Sequence, residues 1–497
     1  MTRLQRTSPS DRGLMFAAAV AALNHGHEHA ALPLLEQAVR LHSQDARLWQ
    51  MLGLAHRGLD QSGAAIHALT RAAELAPTDR LIMHALARTR LEAGLPSVDA
   101  FDAALALAPT DSSILLGRAA GLFADGEAAA AVRWLESLLQ AHPAWIAGHQ
   151  TVARLRWMSG DQKMFAGSFE AALRHRTDDG LLWRELVQVL AKAGFHEQAL
   201  ATIGRARAAV GSSRTLDTLE AWLVSESGDS ARADQLFARL LPLDDVPAVV
   251  RYVRHLLRAD RAEQAAALAE AHVGTGSNDS LWPYLALAWR MTGDRRWKWL
   301  EGDERFVGTY KVTEDAESLE RLAACLRSLH LAKAQPLDQS LRGGTQTDGP
   351  LFSRLEPEIV QLRSAIMRAV RSYVDGLPQH DGKHPLLRHR RDQLRFSGSW
   401  SVRLTDGGSH ANHVHSEGWI SSAFYVAVPD DPSAATHDGW LTLGVADELG
   451  IRLQPIREIE PRPGRLILFP STMWHGTRPF AKGERLTVAF DIARPEL

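Results

Sequence analysis

Two histidines two residues apart, His413 and His415, are followed at the same interval by Glu417, inside the stretch "NHVHSEGWISSAFYV" from Asn412 to Val426. Imidazole nitrogen and carboxylate oxygen are both ligands for first-row transition metals. On a regular strand alternate residues point to one face, so the three side chains would share it. A third histidine, His475, stands far downstream in "FPSTMWHGTRPF", just past an apolar run. Two ligands from one strand end and one distant histidine make the pattern of a facial triad, which leaves coordination positions open and suits non-haem Fe(II). The second ligand is either His415, giving three histidines, or Glu417, giving the pair His-x-Glu. Ten residues after His475 comes Arg485, in the apolar segment "GERLTVAF". A guanidinium inside such a strand is costly unless an anion pairs with it, and its planar fork suits a carboxylate. Thr487, two residues on, shares the face of Arg485 and could add a hydroxyl donor. His410 and His437 lie in stretches rich in Gly, Ser and Pro and are expected at solvent.

These residues need strands to carry them. After residue 394 the hydrophobic period shortens to two, with turn signals between short runs. Six strand segments are readable: "LRFSGSWSVRLTDGG", "GWISSAFYVAVPDDP", "DGWLTLGV", two within "IREIEPRPGRLILFPSTMWHG", and "GERLTVAFDIARPEL". A double-sheet jelly roll takes about eight, so one or two are expected in weaker stretches. In front of them stand two amphipathic helical segments, "DAESLERLAACLRSLHLAKAQ" and "LEPEIVQLRSAIMRAVRSYVDGLP". They flank "PLDQSLRGGTQTDGPLF", which reads as a long polar, Gly-rich loop. The pair Gly343-Gly344 is no phosphate loop, because no Gly-Lys-Ser/Thr follows it. Arg388, Arg390 and Arg391 read as a solvated surface.

The first 300 residues follow a different grammar. From Ala46 to Asp79 the segment "ARLWQMLGLAHRGLDQSGAAIHALTRAAELAPTD" fits the tetratricopeptide pattern. Gly53, Ala65 and Ala72 are small where the two helices of a unit must approach, and Pro77 closes the second helix because proline cannot continue one. Pro77, Pro109 and Pro143 recur at steps of 32 and 34, and Trp49 and Trp183 occupy equivalent places, where core packing is expected. The pattern weakens after Gly211 but continues, for seven or eight helix pairs up to about Arg295. Such an array forms a superhelix with a concave surface for a peptide or protein.

The expected fold is therefore multidomain α + β. An all-α tetratricopeptide-like array spans residues 1–296, a linker with helices packing on the barrel spans 297–393, and a double-stranded β-helix, or jelly roll, spans 394–497. The composition fits a globular chain, with 45% hydrophobic and 23% charged residues among 497. A net charge of -2 gives no footprint for nucleic acid or an anionic membrane. The lone cysteine, Cys325, excludes an internal disulfide and thiolate metal sites, and its helical surroundings suggest a small buried hydrophobe. The stretch "MTRLQRTSPSDRGLM" lacks the apolar core of a signal peptide, and no apolar run reaches membrane-spanning length. A soluble, reducing, cytoplasmic setting is expected.

The C-terminal part resembles the Fe(II)- and 2-oxoglutarate-dependent oxygenases that follow tetratricopeptide repeats in bacterial proteins. The resemblance rests on "SWSVRLTDGGSHANHVHSEGWISSAFYVAVP", "DGWLTLG", "RPGRLILFPSTMWHGTRPF" and "GERLTVAFDI", with "LRGGTQTDG" and "WLEGD" as accompanying stretches, and covers about residues 297 to 497. It implies a jelly roll using ferrous iron, 2-oxoglutarate and O2 to hydroxylate a substrate. By this resemblance His413 and His475 match the metal histidines. Arg485 matches the residue that grips the far carboxylate of 2-oxoglutarate, and Tyr425 a position that supplies a hydroxyl to it. The chain departs from the usual His-x-Asp/Glu pair by placing His415 two after His413. In the family the His-x-His pair is the recurrent element, which favours His413 and His415 over Glu417. Two other readings stay open: an interaction scaffold with a silent barrel, and a three-histidine iron dioxygenase that does not use 2-oxoglutarate.

Overall fold

The computed structural model describes residues 12–243, 245–273, 279–337, 339–429 and 436–495. The stretch up to residue 11, read above for a signal peptide, lies outside them. By contacts the chain divides into two compact units, 1–138 with 348–363, and 139–347 with 364–497. This division falls inside the helical array, not at residues 296 and 393. No described helix is long and apolar enough to cross a membrane.

In the first unit run α1 (Arg12–Asn24), α2 (Glu28–Leu41), α3 (Ala46–Gly58), α4 (Ser62–Leu75), α5 (Arg80–Glu92), α6 (Val98–Leu107), α7 (Ser112–Ala124) and most of α8 (Ala128–Ala141). The second unit continues with α9 (Ile146–Met158), α10 (Gly167–Leu173), α11 (Gly180–Lys192), α12 (His196–Val210), α13 (Arg214–Glu226), α14 (Ser230–Leu240), α15 (Val246–Arg258) and α16 (Ala262–Glu270). After these come α17 (Trp282–Met291) and α18 (Arg296–Glu301). The described helices α1 to α16 make eight consecutive pairs, the upper end of the sequence expectation. Two local devices set the period. Asp45, Asp79, Asp111 and Asp179 cap the first helix of their pairs by accepting backbone N–H groups, which fills donors a helix start leaves open. Each turn between paired helices holds one left-handed residue: Gly26, Asp60, Gly94, Gly126, Gly160, Gly194, Gly228 and Asp260. That series continues past Gly211, where the side-chain pattern fades, because a tight turn constrains the backbone more than it constrains the packing residues around it.

Close helix approach has the cause read from the sequence. A Cβ on Gly53 would sit 2.6 Å from Leu69 Cγ, and Ala65 and Ala72 are fully buried. Trp49 and Trp183 pack against the hydrophobic cores of their pairs. Their indole N–H groups donate to Ser43 O at 2.9 Å and Thr177 O at 2.8 Å, carbonyls of the preceding turn. They are core residues, as expected.

The barrel lies in the second unit. Its elements are β1 (Gly308–Lys311), α19 (Ala316–Leu329), β2 (Leu341–Gln346), α20 (Pro357–Gly376), β3 (Phe396–His413), β4 (Gly418–Ala427), β5 (Leu441–Leu443), β6 (Arg457–Ile459), β7 (Arg465–Pro470), β8 (His475–Thr477) and β9 (Arg485–Ala493). The strand order is β1-β7-β4-β9-β3-β8-β5-β6, with β2 added on β3. Strand β3 does not stop at Asp406-Gly407-Gly408, where the sequence suggested a turn. It runs on through these residues and pairs along both halves within one nine-stranded sheet: Phe396 to Leu404 with β9, and His410 to His413 with β8. Counting β3 twice, with β4 to β9, gives the eight strands of a jelly roll. The short β8 was the hidden one.

Two expectations are corrected. The Gly-rich segment is not all loop, since β2 forms within it and pairs with β3 from Leu341↔His410 to Gln346↔Val402. Gly344 permits this, because a Cβ there would lie 2.3 Å from Arg403 O. Pairing through bare backbone leaves no hydrophobic alternation to read. The arginine cluster is only partly a solvated surface: Arg390 is exposed as expected, but its neighbours are not. Arg388 is only 13% exposed and bridges Asp279 at 2.6 Å, and Arg391 donates to the carbonyls of Leu377 and Pro378 behind α20. Cys325 is half-buried on α19.

Three histidines of this unit are locked neutral by packing. His384 accepts from Leu386 N at 3.0 Å through Nδ1, while its Nε2 donates to Trp299 O at 3.1 Å. Burial pushes His384, His389 and His330 each down to about 4. Their unfolded values lie near 6.5, so the unfolded chain binds more protons between about pH 4 and 6.5. Their stabilisation is complete above 6.5 and is lost as pH falls through that window. Glu301, pushed up to about 7 by burial, acts in the opposite sense between 4.5 and 7. Three groups outweigh one. Metal-free protein should therefore unfold at progressively lower urea concentration from pH 6.5 to pH 4.5, at about 1.4 kcal/mol per pH unit for each net proton. A flat urea midpoint across that range would contradict this.

Candidate metal and carboxylate site

Strand β3 ends at His413, and β8 begins at its register partner His475. The chain then turns: His415 N donates to Ser471 O at 3.0 Å, and Gly418 N donates to His415 O at 2.9 Å. This turn breaks the alternation assumed above. It carries His415 inward and leaves Glu417 exposed. His413, His415 and His475 each place a ring nitrogen within 4.8 Å of the others. Their ring centroids are 4.2 to 5.1 Å apart. Glu417 is outside this group.

The protonation of each ring follows from its partner. His413 Nδ1 meets Ala411 O at 2.9 Å, and His475 Nδ1 meets Met473 O at 3.0 Å. His415 Nδ1 lies 2.9 and 2.8 Å from the two oxygens of Asp491. Carbonyl and carboxylate oxygens only accept, so all three Nδ1 atoms carry a proton, and a ring in its neutral form presents its Nε2 lone pair. Burial, reinforced by the neighbouring His415, holds His413 at about 3, and burial holds His475 well below its ordinary value. Three imidazoles, each oriented through its Nδ1, form a ready donor set for a transition metal.

Strand β9 supplies the other half of the site. Arg485, Thr487, Ala489 and Asp491 alternate along it, so one face carries the guanidinium at one end and the histidine-binding carboxylate at the other. Arg485 and Thr487 line the same cavity of about 50 Å³ as the three histidines. Arg485 is 2% exposed. Among the described residues its Nε has no hydrogen-bond partner, and neither does the hydroxyl of Tyr425. The guanidinium lies over the Tyr425 ring at 5.1 Å. Tyr425 itself is fully buried on β4 opposite Thr487. Among the described residues no anion pairs with this buried cation, and a guanidinium beside a free hydroxyl has the chemistry to accept a carboxylate.

Two residues here escaped the sequence reading. Asp491, also bonded by Ser421 Oγ at 2.6 Å, orients His415. The signal was available, because an acid in the apolar run "TVAFDI" needs a partner. His410 was expected at solvent. It lies on the second half of β3, lines the cavity, and meets Ser340 Oγ at 3.1 Å. His437, the other one, stacks on Trp440 at 4.1 Å and meets Glu458 at 3.0 Å. Replacing Asp491 with asparagine keeps the shape but removes the carboxylate that fixes the His415 tautomer. Metal affinity by calorimetry should fall about 10–100-fold, the usual cost of an outer partner. Unchanged affinity would show that Asp491 does not orient a ligand.

Residues 398–491 match the family model described as "Putative 2OG-Fe(II) oxygenase". No curated protein matches the chain. Among solved structures, a Pseudomonas putida prolyl-4-hydroxylase is similar at 18% identity and a TM-score of 0.27, covering 38% of this chain and 94% of that one. HygX from Streptomyces hygroscopicus, solved with nickel and 2-oxoglutarate bound, is similar at 14% identity and a TM-score of 0.27, covering 38% of this chain and 83% of that one. A tetratricopeptide repeat protein from Parabacteroides merdae is similar at 16% identity and a TM-score of 0.31, covering 46% of this chain and 91% of that one. The family match spans the site residues from β3 to Asp491, about a fifth of the chain, and this segment is similar to the 2OG-Fe(II) oxygenases.

Proposed function

We propose that the chain is an Fe(II)- and 2-oxoglutarate-dependent dioxygenase that hydroxylates a peptide or protein delivered by its helical array. The observation that carries this is the pairing, in one cavity, of three histidine Nε2 donors with a buried guanidinium that lacks an anion. His413, His415 and His475 would hold the iron. Arg485 would grip the far carboxylate of 2-oxoglutarate, with the hydroxyls of Thr487 and Tyr425 beside it. With iron bound, the site supplies oxidative decarboxylation: 2-oxoglutarate, O2 and a substrate C–H give succinate, CO2 and the hydroxylated product. The protein's share is orientation and exclusion of water. Asp491 fixes one ring, main-chain carbonyls fix the other two, and Phe469, Leu441 and Val402 make the cavity wall apolar.

Anaerobic titration with Fe(II), with and without 2-oxoglutarate, tests the reading. A visible charge-transfer band that needs both components is expected. The donor set of three histidines, with no carboxylate among them, also fits an iron dioxygenase that uses no 2-oxoglutarate. Iron binding with no band, and no succinate formed in air, would favour that second reading and overturn the first.

A further inference from the structure

The barrel does not hold its three histidines alone. Trp474 immediately precedes His475, and Val414 stands between His413 and His415. Both side chains leave the barrel's own interior and enter the core built by α15, α16 and α17. Trp474 is 3% exposed. Its indole N–H donates to Pro283 O in the first turn of α17 at 3.1 Å, and its ring meets the edge of Tyr284 at 5.6 Å. A second link runs through Glu448. Its carbonyl accepts from Arg258 of α15 at 2.9 Å, and its carboxylate accepts from Asn412 N, the residue before His413, at 2.7 Å. Gly444, at the end of β5, is held between Arg290 of α17 and the carbonyl of Trp474.

From this we infer that α15 and α17, the last helices of the array, are part of the scaffold of the metal centre, with Trp474 and Glu448 as positioning residues for His475 and His413. The inference rests on the metal reading proposed above. Its physical basis is leverage. The β-strand segment that carries His475 is three residues long, too short to fix a ring orientation by strand pairing alone. A bulky side chain locked one residue away removes the remaining freedom of that backbone. The array is thereby more than a substrate carrier, because its end packs directly behind the ligands.

The test uses the full chain and Co(II), whose visible spectrum reports ligand geometry. Trp474→Phe keeps an aromatic ring but loses the donor to Pro283. Tyr284→Leu removes the edge contact from the array side. Glu448→Ala alters an exposed residue and so leaves folding intact. Each should lower Co(II) affinity about tenfold, within the range seen for outer partners of metal ligands, and change the intensity of the visible bands while circular dichroism is unchanged. Wild-type affinity and spectrum in all three would overturn the inference and leave the metal reading standing. Should Trp474→Phe and Tyr284→Leu unfold, Glu448→Ala decides alone. Failure of the metal reading looks different: wild-type protein binds no Co(II), or His475→Ala binds it equally well.

Discussion

Arg485→Ala should weaken 2-oxoglutarate binding by at least ~30-fold while leaving Co(II) affinity nearly unchanged. Truncating one partner of a buried, hydrogen-bonded charge pair costs about 2–5 kcal/mol, and each 1.4 kcal/mol is tenfold. The separation of effects is the informative part. Arg485 faces the cavity but is not among the three converging histidines. Isothermal titration of each ligand in turn measures both. Arg485→Lys should recover only part of the loss, because an ammonium offers a point charge and no planar fork. Thermal shift gives an independent check. A ligand that binds only the folded state stabilises it in proportion to the logarithm of its concentration over Kd. Saturating 2-oxoglutarate should therefore raise the melting temperature of the metal-loaded wild type and not of Arg485→Ala. If the variant binds 2-oxoglutarate like the wild type, the socket assigned to Arg485, Thr487 and Tyr425 is wrong.

The second large effect separates His415 from Glu417. His415→Ala should remove more metal affinity than the ~10–100-fold expected for the outer partner Asp491, whereas Glu417→Ala should change it by less than twofold. His415 has its Nδ1 fixed and its Nε2 turned toward the two other rings. Glu417 is exposed, and a solvated carboxylate gains nothing by leaving water for a site already supplied with three donors. His415→Ala also leaves the half-buried Asp491 carboxylate with a hydrogen bond from Ser421 but without its histidine, so its metal-free form should be less stable as well. The reverse ranking, with Glu417→Ala losing the metal, would mean that the turn at 416–417 rearranges on binding.

Much of this molecule was open to reading from its residues. The 34-residue steps gave the helix pairs, because each pair must bury the same small and large side chains against the next. The switch to alternating hydrophobicity after residue 394 gave the barrel, and the spacing from His475 to Arg485 put one metal ligand and the buried cation on its two last strands. Harder to see were features that depend on backbone rather than side-chain pattern: β2 pairing through Gly344, β3 continuing through its glycines to pair with β8, and the three-residue β8. The turn after His413 belongs with these. Two-residue spacing allowed His415 and Glu417 equally, and only the bond from Gly418 N to His415 O turned one inward and the other out. Asp491 and Trp474 show the same limit at longer range. Their types hinted at buried partners, but His415 stands 76 residues from Asp491 and Pro283 stands 191 from Trp474. Local sequence determined which residue types could bind a metal and a carboxylate. Which of them meet was decided by tertiary packing, since direction in space is set by contacts between distant segments and not by spacing along the chain.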